Sequence, residues 1–317
     1  MSTVLRLARL AAAAAVLAAV AWRLGPGPFV DGVRAVDMRA LLAASVIGVL
    51  TTSCCAWRWT IVARGLGVRL SLPAAVAAYY RSVFLNLTLP GGVAGDLHRG
   101  ITHGRAVRDV GRGLRAVAWE RCAGQAVQAL LTLAALLVLP SPVRSWMPIV
   151  AVGLAAAIAC VVLVLLVDRL RVWGGWWAHA RRAVAADVRA GLLHRRALPV
   201  IVLASTVVVF GHAITFLIAA RTAGVAAPAS RLLPLALLAL LAMVLPSVAG
   251  WGPREGATAW VFASAGLGAD RGAATAVTYG VMVLVAALPG ALVLVAGRLP
   301  RQEHVPAAAR VKEAVDA

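Results

Sequence analysis

Six stretches of about twenty mostly apolar residues constrain this chain more than anything else in it. They lie near 4–24, 40–62, 114–139, 147–167, 198–220 and 272–297. Twenty helical residues rise about 30 Å, the thickness of a bilayer's hydrocarbon core. No water is available there to satisfy backbone groups, so uninterrupted apolar runs of this length must be helices. The expected fold class is therefore an all-α integral membrane protein. Its 317 residues leave no room for a large enzyme domain beside the membrane part.

Two further apolar regions do not read as plain spans. The first, 73–100, holds Leu89-Pro90-Gly91-Gly92-Val93-Ala94-Gly95-Asp96-Leu97-His98-Arg99-Gly100. The second, 232–268, holds Leu245-Pro246-Ser247-Val248-Ala249-Gly250-Trp251-Gly252-Pro253-Arg254-Glu255-Gly256. Leu89 and Leu245 are 156 positions apart, and each segment runs from Leu-Pro through glycines to an arginine and an acid. Proline stops a helix. The arms left on either side are too short to cross, so each segment is expected to be a re-entrant or broken helical pair. A single long helix kinked at Pro246 is the alternative.

A shift of 156 residues carries the span near 40–62 onto that near 198–220, and 114–139 onto 272–297, within about two residues. The chain thus divides into a first membrane repeat, 1–139, a second, 140–297, and a polar tail, 298–317. Three full crossings per repeat make the second repeat inverted. Arginines crowd the stretches between spans two and three and between spans four and five, whereas the loop between spans three and four holds only Arg144. The positive-inside rule then places both arginine-rich stretches and both termini in the cytoplasm of a bacterial inner membrane.

The net charge of +19 rests on 31 basic residues, of which only Lys312 is a lysine. Because these arginines flank apolar spans, topology and anionic headgroups explain them better than nucleic acid does. The four cysteines, Cys54, Cys55, Cys122 and Cys160, lack zinc-site or disulfide-framework spacing and read as small buried apolar residues. The N-terminal run resembles a signal peptide but is read as a retained first helix. The tryptophans and arginines of 168–197 suggest a helix lying in the membrane interface.

Half-helices that end inside a membrane present free N–H groups and a positive dipole end, which favour an anion such as phosphate. Gly91, Gly92, Gly95 and Gly250 allow close backbone approach. Arg99 and Arg254 are candidate phosphate clamps, tuned by Asp96 and Glu255. The same arginine–acid pairs equally suit a scaffold that holds each hairpin. Glu120 and Arg121, near the start of the third span, either complete this polar site or form an interfacial pair near the helix start. Asn86 is a candidate hairpin cap or headgroup contact. His212 reads as a helix–helix hydrogen-bonding residue, and Arg58, between Trp57 and Trp59, as an interfacial anchor.

No Gly-x-Ser-x-Gly, P-loop or metal-ligand cluster occurs, so no catalytic residue, metal or cofactor is expected. A transferase acting on a lipid phosphate would want close acidic residues outside the membrane. Asp31 and Asp37 are six residues apart.

On the motifs Phe84-x-Asn86-x3-Pro90-Gly91-Gly92-x2-Gly95-Asp96-x2-Arg99, Glu120-Arg121 and Pro246-x3-Gly250-x3-Arg254-Glu255, the chain resembles the transmembrane region of lysylphosphatidylglycerol synthases. These are flippase-like membrane proteins, and the likeness runs over roughly 40–297. The resemblance implies a region that moves aminoacylated phosphatidylglycerol across the bilayer while a separate soluble domain makes it. With about twenty residues after the last span, this chain reads as a stand-alone region without the synthase. The arginine expected after Tyr279 is Gly280 here.

The resulting expectation is a multi-pass protein that binds and translocates a lipid with an anionic headgroup, either aminoacylated phosphatidylglycerol or a lipid-linked phosphate. The alternatives are a lipid-phosphate-dependent transferase and a non-catalytic membrane partner of a separate synthase. A homo-oligomer is compatible with all three.

Overall fold

The computed structural model describes residues 25, 27–89, 92–139, 176–244, 247 and 251–296. The spans expected near 4–24 and 147–167, the tail, and Pro90, Gly91, Pro246 and Gly250 lie outside them. The described elements are α1 (Gly27–Arg34), α2 (Met38–Gly65), α3 (Leu72–Thr88), α4 (Ala94–Ala106) and α5 (Val110–Val138). Then follow α6 (Trp176–Gly191), α7 (Ala197–Thr222), α8 (Ala229–Leu241), α9 (Pro253–Ser264), α10 (Ala269–Ala287) and α11 (Pro289–Ala296).

Among the described residues, four helical stretches are long and apolar enough to cross a membrane: α2, α5, α7 and the continuous run Ala269–Ala296, each of 26 to 29 residues. They match four of the expected spans. Their starts follow local chemistry. The Asp37 carboxylate accepts the Ala40 N–H at 2.7 Å, and that of Asp109 accepts the Arg112 N–H at 2.8 Å, each capping a helix whose first amides lack partners. Pro289, which has no N–H to donate, separates α10 from α11. Leu42, Val46, Leu203, Phe210 and Leu292 point outward and are exposed, as suits a surface wetted by lipid rather than water.

Both interrupted segments fold back on themselves. In the first, Ser82 of α3 donates to Asp96 of α4, and three residues earlier Tyr79 lies beside Arg99, so the arms run antiparallel. In the second, the Arg231 guanidinium near the start of α8 donates to the Ala265 carbonyl at the end of α9. A single helix kinked at Pro246 would hold those two residues apart, so the hairpin replaces that alternative. The arms contain 17, 13, 13 and 12 residues, about 18–25 Å of rise, short of a full crossing.

The element order repeats: a short helix, a long one, two short arms around a break, and a long stretch, from α1 to α5 and again from α6 to α11. The first long helices of each set, α2 and α7, pack along one another, and α10 packs on both. α1 docks on α10, where Thr278 Oγ1 donates to the Gly32 carbonyl at 2.8 Å. An apolar core including Phe216, Leu235, Phe262 and Met282 fills the space between α7, α8, α9 and α10. This arrangement turns the tips of both hairpins toward the same interior space.

One smaller expectation, that of buried cysteines, needs correction. Cys122 is exposed rather than buried, and Cys54 is half-buried. The 168–197 stretch contains the helix α6, pinned by the Asp187 carboxylate, which accepts from Arg115 Nε at 2.8 Å and Trp119 Nε1 at 3.2 Å.

Candidate functional site

Charges buried among apolar helices are costly unless each finds a partner, and in the first half they form one connected cluster. Glu120, fully buried on α5, is its centre. Its Oε1 accepts from Arg58 at 2.5 Å (Nη2) and 3.0 Å (Nε), while its Oε2 accepts from Arg99 Nη2 at 2.7 Å. Tyr79 Oη donates to the same carboxylate at 3.3 Å. Asp96 Oδ1 accepts from Arg99 Nε at 3.0 Å, Ser82 Oγ at 3.1 Å and Arg121 Nη2 at 3.0 Å. Its Oδ2 accepts from Asn86 Nδ2 at 3.1 Å. Arg58 reaches a further helix, donating to Ser205 Oγ on α7 at 2.8 Å. Arg99 is stacked between the Tyr79 and Trp59 rings, 4.2 and 4.7 Å from their centroids.

The second cluster is compact. Glu255 Oε1 accepts from Arg254 Nε at 2.9 Å and also from Arg254 Nη2. Glu255 Oε2 accepts the Gly252 N–H at 2.6 Å, the backward half of a capping box. The Arg254 guanidinium lies 5.3 Å from both the Trp251 and Tyr279 ring centroids. Tyr279 Oη in turn is 2.9 Å from His212 Nδ1 on α7, the helix–helix hydrogen bond expected of that histidine.

A cavity of about 260 Å³ lies between the clusters and is lined from both hairpins. Its polar wall includes Arg58, Asn86, Arg121, Gln125, Gln128, Ser205, His212, Ser247 and Arg254. Apolar residues, Ile47, Val83, Val209, Leu240 and Val283 among them, line much of the rest. Among the described residues, three arginines and no carboxylate line it.

Of the expected site residues, the structure places Asn86, Gly92, Arg121 and Arg254 on the lining. Gly95, Asp96, Arg99, Glu120 and Glu255 stand behind it, and Gly91 and Gly250 lie outside the described residues. Glu120 and Arg121 join the Asp96–Arg99 group and are not a separate interfacial pair. The scaffold alternative suits Arg99, whose side chain has no exposed surface and is held by Asp96 and Glu120. One amide at each half-helix end is already engaged: the Gly95 N–H donates to Asn86 Oδ1 at 2.8 Å and the Gly252 N–H to Glu255. The cationic groups that the cavity presents are the guanidiniums on its wall.

Arg58 is not an interfacial anchor. It is 4% exposed, because α2 runs on to Gly65 and carries the residue two turns inside the helix. Sequence reasoning also missed Tyr79, Gln125, Gln128 and Ser205. Their common signal, a polar group within an apolar helix, is weak for one residue, but Arg121, Gln125 and Gln128 recur at helical spacing on one face of α5. Gly280 has a plain role: a Cβ there would stand 3.2 Å from Arg254 Cζ and 3.2 Å from the Trp251 ring, so the missing side chain leaves room for Arg254.

Helix length, outward apolar faces and a cationic interior cavity together define a multi-pass membrane protein with a polar site between two hairpins. Residues 6–290 match the family described as the lysylphosphatidylglycerol synthase TM region, and the chain belongs to that family, whose membrane region is associated with lipid handling. No curated protein matches the chain.

Proposed function

We propose that this protein binds a lipid with an anionic headgroup in the cavity between its hairpins and moves it across the bacterial inner membrane, without catalysing a reaction itself. The observation that carries this reading is the cavity wall: Arg58, Arg121 and Arg254 on it, and no carboxylate among the described residues. Guanidiniums are suited to phosphate because they donate in a planar fork that matches two of its oxygens. The apolar part of the wall suits the glycerol backbone and the first methylenes of the chains. Membership of a family named for a lipid synthase supports a lipid as cargo.

In this reading the two sets of elements, 1–139 and 140–297, are inverted repeats with both termini in the cytoplasm, and 298–317 is a cytoplasmic tail. The hairpins then enter from opposite faces, and exposure of the cavity to each leaflet in turn is alternating access. A separate enzyme that makes the lipid is the natural partner.

The test is transbilayer movement of fluorescent anionic phospholipids in liposomes holding the purified protein. Arg121→Ala and Arg254→Ala are the variants of choice, since both residues line the cavity. Movement that both variants lose supports the assignment. Full activity in both, with folded protein confirmed, overturns it, and product formation from a lipid-linked sugar that depends on Asp31 or Asp37 would favour a transferase.

A further inference from the structure

We infer that the cavity accepts a polyol phosphate headgroup, a phosphodiester bearing hydroxyls, and rejects a headgroup carrying an ammonium. The inference rests on the lipid-binding reading above and narrows it. Its first ground is how the carboxylates are spent. Glu120 and Glu255 are fully buried, and each is held by arginine or backbone donors. Asp96 accepts from Arg99, Arg121, Ser82 and Asn86. None of the three reaches the wall, so an ammonium entering the cavity meets the guanidiniums of Arg58, Arg121 and Arg254, with no carboxylate on the wall among the described residues.

The second ground is the count of charge. In the first cluster three guanidiniums, Arg58, Arg99 and Arg121, share two carboxylates, Asp96 and Glu120. One positive charge is left over, the complement of a singly charged phosphodiester. Arg121 is the group that offers it: it lines the cavity, and 38% of its side chain remains accessible.

The third ground is an acceptor without a donor. Gln125 lines the cavity, and its Oε1 is buried with no hydrogen-bond partner. It stands one turn from Arg121 on the same face of α5, about 6 Å along the axis, with Gln128 beyond. A headgroup whose phosphate meets Arg121 brings its next hydroxyls to these amides. A phosphate with no hydroxyl leaves Gln125 unsatisfied, which costs free energy in a buried site. The cavity's 260 Å³ falls just under the roughly 300–1,000 Å³ of typical ligand pockets, room for a small headgroup and not for whole acyl chains.

The experiment is displacement of a fluorescent short-chain phosphatidylglycerol from the purified protein in micelles. Unlabelled competitors are phosphatidylglycerol, its lysyl ester, phosphatidic acid and free glycerol 3-phosphate. Phosphatidylglycerol is expected to compete at least tenfold better than the lysyl ester. Gln125→Leu, which alters no charge, should weaken phosphatidylglycerol several-fold and leave phosphatidic acid unchanged. Arg121→Gln should narrow the preference over the lysyl ester, and Arg121→Lys should keep it.

Equal or better competition by the lysyl ester overturns the selectivity while leaving lipid binding intact. Binding of phosphatidylglycerol that is indifferent to Gln125→Leu overturns the polyol assignment. Competition by glycerol 3-phosphate at the strength of the lipid keeps the polyol phosphate and assigns a soluble source, against the lipid reading. No displaceable binding by any lipid brings down this inference and the proposed function together.

Discussion

Gly92 and Ser247 lie 155 residues apart in the chain, yet a Cβ added at Gly92 would stand 2.8 Å from Ser247 Oγ. Each sits in the break of its own hairpin, and both line the cavity. The two interruptions that cost the sequence its helical continuity are therefore facing parts of one wall.

That contact can be tested directly. Gly92 has φ +67°, a left-handed conformation that an alanine adopts at a cost of about 1 kcal/mol. Gly92→Ala should thus lower the thermal midpoint and also push on Ser247. Ser247→Ala in the same chain should restore part of the loss, because the Oγ contact is gone while the backbone strain persists. Strict additivity in a thermal double-mutant cycle would show that the two breaks do not touch.

Glu120 and Asp187 offer a comparison of carboxylates in different surroundings. Glu120→Ala leaves Arg58 and Arg99 buried without their shared partner, which should destabilise by about 3–5 kcal/mol. Asp187→Ala removes an ion pair to Arg115, whose side chain is 47% exposed, and should cost at most about 1 kcal/mol. Denaturation of the two variants in one detergent checks the ordering.

Gly280→Ala adds a methyl where the Arg254 guanidinium packs. Displacing that group should weaken binding of an anionic lipid about tenfold, equivalent to about 1.4 kcal/mol. The fold should survive, since Tyr279 and its neighbours keep their own partners. Lipid affinity set against thermal midpoint separates the two effects.

Asp37→Ala should lower stability by about 1 kcal/mol through loss of the α2 cap, with lipid movement unchanged. A carboxylate serving a transferase would instead abolish product formation without that loss of stability. The same two measurements decide between the roles.

Much of the fold was legible because a membrane imposes so few options. Apolar runs near 40–62, 114–139, 198–220 and 272–297 became α2, α5, α7 and α10–α11, and prolines and glycines ended helices where their chemistry requires. Glu120-Arg121 stood out as charges inside an apolar run, which left a polar site and an interfacial pair both open. Arg58 was misread because a helix end predicted at 62 brings it near the boundary, whereas three more residues of helix take it inward. For Arg99 the sequence left clamp and scaffold both open, because one-dimensional spacing puts arginine and acid together but cannot say which face meets the cavity. Gln125 and Gln128 carry no charge, so nothing in composition sets them apart from polar residues that merely join helices.

The two charge clusters also differ in reach. The first ties α2, α3, α4 and α5 together and extends to α7 through Ser205. The second joins two adjacent residues, Arg254 and Glu255, within one turn of α9. A substitution in the first loosens five helices at once, and one in the second disturbs one turn of α9 and its contacts with Trp251 and Tyr279. Selection in the laboratory for a new headgroup would thus find its viable changes around Arg254 and Gly280, with the Glu120 cluster acting as a chassis that tolerates little revision.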